Sequence, residues 1–480
     1  MAAPRECDVL IAGGGPVGVT LALLLAQRGV RVIVAEKEQA IYPLPRAAHL
    51  DHEAMRILQE AGVADAVMAT SRQTGRYEFR NADGEILLLF EGSDRIGPGG
   101  WPGANMIHQP SVEAALRSRL EGQASAQLRT FWDLKSFAQD DDGIIATLDT
   151  PEGAQQVSAR YLIGADGARS PVREACGIAF DDLDFEEPWL VIDTLVDDPA
   201  RLPTANLQIC DPARPTTCVL MGEGRHRWEF MIKPGEDPAE IASDASIASL
   251  LEPWQVEGAV RLERKAVYTF RARIAAQWRQ GRVLLAGDAA HQTPPFAGQG
   301  LCSGLRDAAN LAWKLAAVVR DGAPDCLLDS YQPEREPNLR ATIQMAIMMG
   351  KTVCITNPFA AWLRDMKFKL GKALGKLPAG PPSYPPVSAG RILAGTAAAG
   401  SYFPQAIAAD GTRLDTVLGL GHWLISRADL DQPRLAPFAS QLAAWFDKQG
   451  AEVVLVRPDR YVFGTGTPEH LQAAWVRPAR

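Results

Sequence analysis

The sequence predicts an α/β protein: an interrupted Rossmann-like nucleotide-binding domain, an inserted mainly β domain, and a small α/β domain at the carboxy-terminal end. Three observations carry this. The chain opens on a strand–turn–helix–strand unit whose turn reads Gly13-Gly14-Gly15-Pro16-Val17-Gly18. Two later apolar strands end in Asp166-Gly167 and Gly287-Asp288, and a stretch of short strands, 181–270, separates them. A chain of 480 residues also exceeds what one core holds, so two or three lobes are expected.

The elements follow in order. Residues 7–12 form an apolar strand, 17–28 an Ala/Leu-rich helix closed by Gly29, and 30–35 a second strand. A helix is expected over 51–61, a hairpin turn at Asn81-Ala82-Asp83-Gly84, and a helix over 109–120 with Pro110 in its first turn. Strands are expected at 143–148 and 157–163 around a turn at Pro151-Glu152-Gly153. Within the β stretch the short runs are 189–196, 218–221 and 228–232. A helix over 301–320 leads into further helical segments and a Pro/Gly-rich linker, 377–386. Beyond it, 421–425, 435–449 and 452–456 alternate strand, helix and strand. The expected division is therefore 1–180 with 271–340 for the nucleotide-binding domain and 181–270 for the inserted lobe, which 76–104 joins. Residues 341–385 are helix and linker, and 386–480 the final domain.

Composition narrows the function. Hydrophobic residues at 47% and charged residues at 22% are ordinary for a globular protein, and the net charge of −8 comes with no basic tract. Nucleic acid is therefore not expected as a partner. The seven cysteines form no C-x-x-C pair, so neither a metal site nor a disulfide framework is expected. Residues 9–27 carry no charge and approach the length of a membrane span. The Gly-Gly-Gly-Pro break, with Glu6 and Asp8 ahead of it, argues instead for strand, turn and buried helix. A cytoplasmic location away from membranes is the expectation, and a homodimer is left open.

The glycine turn has a specific chemistry. Gly13 permits the tight turn, Gly15 lets a pyrophosphate approach the backbone, and Gly18 lets the helix pack on the strand. Pro16 and Val17 start the helix whose amides and dipole hold the anion. Glu36, followed by Lys37, ends the second strand, where a carboxylate accepts hydrogen bonds from ribose hydroxyls. Alone, this turn leaves FAD and NAD both open.

With Asp166-Gly167-Ala168-Arg169 and Gly287-Asp288 in the same chain, the sequence resembles the class A flavoprotein monooxygenases, the para-hydroxybenzoate and phenol hydroxylase superfamily, over residues 7–340. The resemblance implies bound FAD, with NADH or NADPH as a transient co-substrate, since no second G-x-G-x-x-G is present. It implies that Arg46 and Gln109 contact the flavin and that Asp288 bonds its ribityl chain. Pro295, Gly298, Gln299, Gly300 and Leu301 would set helix-start amides beside the flavin ring, and Asp166 would order the pyrophosphate region. The reaction implied is reduction of FAD by NAD(P)H, addition of O2 at the flavin C4a, and hydroxylation of a small aromatic substrate by the hydroperoxide. Within the superfamily the 3-(3-hydroxyphenyl)propionate hydroxylases are the most similar branch, through 210–215, 228–236 and Tyr268-Thr269. The tail resembles the thioredoxin-like domain of the phenol hydroxylase branch, but lacks cysteine, which excludes disulfide exchange and leaves a scaffold or interface duty.

By family position, Tyr268 would bond the phenol hydroxyl, His49 would relay a proton, and Pro294 would sit over the flavin near the reacting carbon. Arg214, Arg225 and Arg227 are candidate anchors for a substrate carboxylate. Trp101, Trp189 and Trp228 are candidate pocket walls, with core packing as the alternative for each. A phenylpropionate-like acid or a simple phenol is the expected substrate. A larger polycyclic molecule is the alternative, and a non-catalytic flavin-binding scaffold the alternative of a different class.

Overall fold

Val9–Ala12 is buried throughout and pairs in parallel on both sides, with Val32–Glu36 and with Tyr161–Gly164. A strand covered on both faces is apolar at every position rather than at alternate ones, and this one is. Val283–Leu285 and Ala126–Thr130 extend the sheet in parallel, and antiparallel Arg279–Gln280 forms its edge. The computed structural model describes residues 5–43, 46–377 and 384–476. Pro45, and most of the expected linker at 377–386, lie outside the described residues.

Helix Pro16–Ala26 covers this sheet, with Gly300–Arg320 packed against it. Gly304 makes that approach possible, because a Cβ there would stand 2.6 Å from Val17 Cγ2. His52–Ala61 is capped by Asp51, whose side chain accepts from the Glu53 and Ala54 amides.

The strand expected at 157–163 is two strands in different sheets. Gly153–Ala159 pairs antiparallel with Ile144–Thr150, which pairs in turn with Asp133–Gln139. The Arg160 and Tyr161 amides then converge on the Asp8 carbonyl at 2.9 and 3.2 Å, and the chain enters the parallel sheet. Burial marks the change: it alternates up to Ala159 and is continuous from Tyr161.

An eight-stranded sheet forms the second body. Its order is His291–Gln292, Val260–Ala275, Phe180–Val196, Arg225–Met231, Thr216–Leu220, Asn206–Cys210, Arg76–Asn81 and Ile86–Glu91. Alternation sorts its residues. Leu190, Ile192, Leu207, Cys218, Trp228 and Phe230 turn to one face and pack a small core with Ile247 and Val256. Gln208, Thr217, Arg227, Glu229 and Tyr268 turn to the other, toward the nucleotide-binding body.

The carboxy-terminal unit holds an antiparallel sheet of Trp423–Ser426, Val453–Val456 and Val462–Thr465, with helices Ala439–Gln449 and Pro468–Val476. Buried charge joins it to the rest. Arg56 makes a two-pronged pair with Asp415 at 2.7 and 2.8 Å, and Arg457 meets Glu334 at 2.6 Å. Among the described residues no helix is long and apolar enough to cross a membrane, and no cluster of His, Cys, Asp or Glu could hold a metal ion.

Candidate active site

One cavity of about 1000 Å³ runs from the glycine turn to the polar face of the eight-stranded sheet. At the turn the three glycines divide their duties. Gly13 has φ +109°, and a Cβ on it would stand 2.3 Å from the Ala165 carbonyl oxygen. One on Gly18 would stand 2.1 Å from the Gly13 carbonyl oxygen. Both glycines close the turn. Gly15 is different: its φ is −75° and nothing lies within 4 Å of an added Cβ, so its bareness serves open space in the cavity wall.

Gly15, Pro16, Val17, Glu36 and Lys37 all line that part of the cavity, whereas Gly18 does not. The Gly14 amide donates to Glu36 Oε2 at 2.7 Å and the Glu38 amide to Oε1 at 2.8 Å, fixing the carboxylate at the rim. Gln109 Oε1 accepts the Arg46 and Ala47 amides at 3.2 and 2.7 Å, which positions the loop carrying Arg46. One turn apart on the same helix, Glu113 accepts from Gln109 at 2.7 Å and Arg117 donates to the Gly14 carbonyl at 3.0 Å. Arg117 was not among the sequence candidates. The spacing 109, 113, 117 is the signal that would have found it, since i and i+4 positions share a helix face.

The later motifs meet the cavity from the other side. Asp166 and Gly167 line it; Asp166 Oδ2 accepts the Val172 amide at 3.0 Å, and burial pushes the carboxyl up from its usual range. Asp288 projects into it, exposed, from the tight turn after Val283–Leu285. Thr293, Pro295, Gly298, Gln299, Gly300 and Leu301 complete the wall at the start of helix Gly300–Arg320. Buried Asp166 Oδ1, Thr293 Oγ1 and Gln299 Nε2 have no hydrogen-bond partner among the described residues. Unsatisfied buried polar atoms around a cavity mark places for ligand atoms. With the opening at Gly15 and the donors at a helix start, they suit an extended dinucleotide with a polar ring edge.

His49 lines the cavity with Nδ1 3.1 Å from the Gly298 carbonyl, an acceptor that this nitrogen meets as a donor. Burial pushes its pKa down, which keeps it neutral. Tyr268 lines the far end, its ring 5.0 Å from the Arg264 guanidinium. Pro294 is buried and is not among the lining residues; its neighbours Thr293 and Pro295 are.

The sheet face adds a polar row that motif matching missed. Thr217 donates to Gln208 at 2.7 Å, Gln208 to the Tyr77 hydroxyl at 2.6 Å, and Tyr77 to the Phe296 carbonyl at 3.1 Å. Glu229 stands opposite Thr217 in the register. Burial pushes its carboxyl up to about 6, against the pull of Arg227 and with a push from Asp193.

Three substrate candidates are corrected. Arg214 lies off the cavity, in a two-pronged pair with Glu236 at 2.7 and 2.8 Å. Arg225, at the strand end, grips Glu263 at 2.9 Å. Trp228 is fully buried on the opposite face, edge-on to Trp254. Trp101 and Trp189 are also buried away from the wall, Trp101 bonding Gln59 and Trp189 stacked on Phe270. Of the arginines weighed as anchors, Arg227 reaches the cavity, and Asp193 holds it at 2.6 Å.

A nucleotide clasp opening onto the polar face of a β-sheet defines a flavoprotein oxidoreductase with a substrate-binding lobe. The chain belongs to the FAD binding domain family, whose model matches residues 6–346. A second model, the HcaD C-terminal domain, matches 427–479. A probable NADH-specific resorcinol 4-hydroxylase of Rhodococcus jostii (strain RHA1) is 35% identical over 496 residues, covering 96% of this chain and 92% of that one. A 3-(3-hydroxy-phenyl)propionate/3-hydroxycinnamic acid hydroxylase of Comamonas testosteroni is 40% identical over 366 residues, covering 76% of this chain but 62% of that longer protein. Among solved structures, p-nitrophenol 4-monooxygenase from Pseudomonas putida overlays with a TM-score of 0.70 at 26% identity, over 78% of this chain and 96% of its own. Aklavinone-11 hydroxylase, solved with FAD and aklavinone, overlays over 99% of both chains with a TM-score of 0.80 at 25% identity. The protein is an FAD-dependent monooxygenase of the aromatic hydroxylase class, with NAD(P)H as co-substrate.

Proposed function

We propose that this protein hydroxylates a small phenolic ring with NAD(P)H and O2. The observation that carries the proposal is the single cavity joining the nucleotide clasp to the Gln208–Thr217–Glu229–Tyr268 face. FAD, when bound, supplies electron transfer and oxygen activation. The chain's own residues do the rest. Gly15 admits the pyrophosphate to the helix start, Glu36 takes the ribose hydroxyls, and Asp288 takes the ribityl chain. Amides of Gly298, Gln299 and Gly300 face the ring edge where negative charge develops on reduction. Tyr268 hydrogen-bonds the phenol hydroxyl, while Phe90, Phe296, Val219 and Met349 exclude water around the reacting carbon.

A polycyclic substrate is the second reading, favoured by the overlay along the whole chain with aklavinone-11 hydroxylase. The carboxy-terminal unit, read as a cysteine-free relative of the thioredoxin fold, serves as scaffold. The free cysteines fit a reducing cytoplasm. The test is NAD(P)H oxidation by the FAD-loaded enzyme with resorcinol, 3-(3-hydroxyphenyl)propionate or an anthracyclinone, with product analysis. Stimulation and hydroxylated product from a simple phenol are expected. If only the polycyclic compound responds, the second reading replaces the first.

A further inference from the structure

Resting on the phenol reading, we propose that Glu229 is the base that takes the proton from the substrate's ring hydroxyl, and that its charge selects neutral phenols over aryl carboxylates. Glu229 is 6% exposed yet lines the cavity, on the same sheet face as Tyr268, Thr217 and Gln208. Among the described residues its carboxylate has one partner, Arg227, at 3.6 Å, longer than a hydrogen bond. Arg227 is committed more tightly to Asp193, at 2.6 Å, and donates to the Arg46 carbonyl at 2.9 Å. Glu229 is thus held in place without being neutralised, as a carboxylate awaiting a donor in the cavity must be.

The transfer is a simple one. The phenol O–H bond breaks, its electron pair stays on the phenolate oxygen, and the proton rests on a Glu229 oxygen until it returns to the hydroxylated product. A phenolate donates more electron density to the ring than a phenol, which is what attack by an electrophilic oxygen requires. The groups facing Glu229 are Arg227 on its own strand, Asp193 on the neighbouring strand, Arg264 one strand further, Arg46 on the loop that Arg227 meets, Tyr77 across the sheet and Tyr268 along the wall. Asp193 pairs with both Arg227 and Arg264, so those two guanidinium groups are directed first to Asp193. A substrate carboxylate placed here would meet the like charge of Glu229, with Arg227 already held by Asp193. Neutral hydroxyls meet instead Thr217 and Gln208.

Ionised Glu229 as base means that kcat/KM falls as the pH drops through about 6. The experiment compares wild type, Glu229→Gln and Glu229→Asp as FAD-loaded enzymes, with FAD affinity and substrate-free NAD(P)H oxidation as controls for folding. Kinetics are taken against pH with resorcinol, and the ionisation of bound 4-nitrophenol is followed by its phenolate absorbance. Expected for E229Q are loss of the acid limb, at least a tenfold fall in coupled hydroxylation at neutral pH, and nitrophenol bound unionised; E229D restores the limb. Wild type should prefer resorcinol to 3-(3-hydroxyphenyl)propionate by tenfold or more, and E229Q should narrow that gap. If E229Q loses FAD, the E229D profile decides: an acid limb displaced from the wild-type position, or reduced coupling at neutral pH, supports the assignment, and a limb at the wild-type position with full coupling overturns it. An E229Q enzyme that keeps limb, coupling and nitrophenolate overturns the role of Glu229 alone. A wild type stimulated by no phenol overturns the phenol reading and this one with it.

Discussion

Replacing Gly15 by alanine separates cofactor binding from folding at one atom. The backbone there has φ −75°, which alanine adopts freely, and the added Cβ meets nothing within 4 Å. The apoprotein should therefore be unharmed, or gain about 0.4–1 kcal/mol from the reduced freedom of the unfolded chain. The same methyl enters the space reserved for the pyrophosphate. Losing one backbone hydrogen bond to a charged acceptor costs about 1.5–3 kcal/mol, which weakens FAD binding roughly 10- to 150-fold. Gly13→Ala is the contrast, because φ +109° and the Ala165 carbonyl 2.3 Å away penalise the fold itself. Fluorescence titration of apoprotein with FAD, alongside urea unfolding without it, reads the two effects apart. A Gly15→Ala protein that binds FAD like wild type, or that unfolds as early as Gly13→Ala, would refute the placing of the pyrophosphate at Gly15.

Other outcomes follow from the same geometry. Tyr268→Phe should bind FAD normally yet lose hydroxylation or coupling of NADH oxidation to product; unchanged coupled turnover removes Tyr268 from the mechanism. Arg214→Ala should leave the KM for substrate unchanged and cost about 1 kcal/mol or less in stability, since its pair with Glu236 is partly exposed and off the cavity. A raised KM would return Arg214 to the substrate site. Asp415→Ala strands the Arg56 guanidinium, 2% exposed, and should destabilise by about 3–5 kcal/mol in urea unfolding. The double variant Arg56→Met/Asp415→Leu should recover most of that loss, and if it does not, packing rather than stranded charge is responsible.

The nucleotide clasp was legible because each of its residues answers a local demand. Gly13 and Gly18 are set by what a Cβ would touch, Gly15 by the open space beside it, and Glu36 and Asp288 by their places at or just after strand ends. The substrate face was not legible in the same way. Alternation says that Trp228 opposes Arg227 and Glu229, but which of the two sides faces the cavity depends on Ile247 and Val256 covering the other. The match over 228–236 therefore pointed to the tryptophan, while Glu229 next to it is the residue that lines the cavity. Arg214 and Arg225 failed as anchors because their partners, Glu236 and Glu263, lie 22 and 38 residues away, beyond any local pattern. The split at Arg160 was readable in principle, from the change between alternating and continuous burial.

The buried polar contacts between the first helices and the carboxy-terminal unit impose a schedule on biosynthesis. Glu53 receives the Tyr461 hydroxyl at 3.1 Å across 408 residues of chain, and Arg56 reaches Asp415 across 359. A ribosome adding about 5–20 residues per second leaves Arg56 without its ion partner, and Glu53 without the Tyr461 hydroxyl, for tens of seconds. During that time the cofactor clasp can be outlined but its supporting helix cannot be locked. The amino-terminal half should then remain open to chaperones and proteases until the carboxy-terminal unit emerges. FAD offered during translation should be retained only by chains that have passed Tyr461, which makes flavin capture a late event in the life of each molecule.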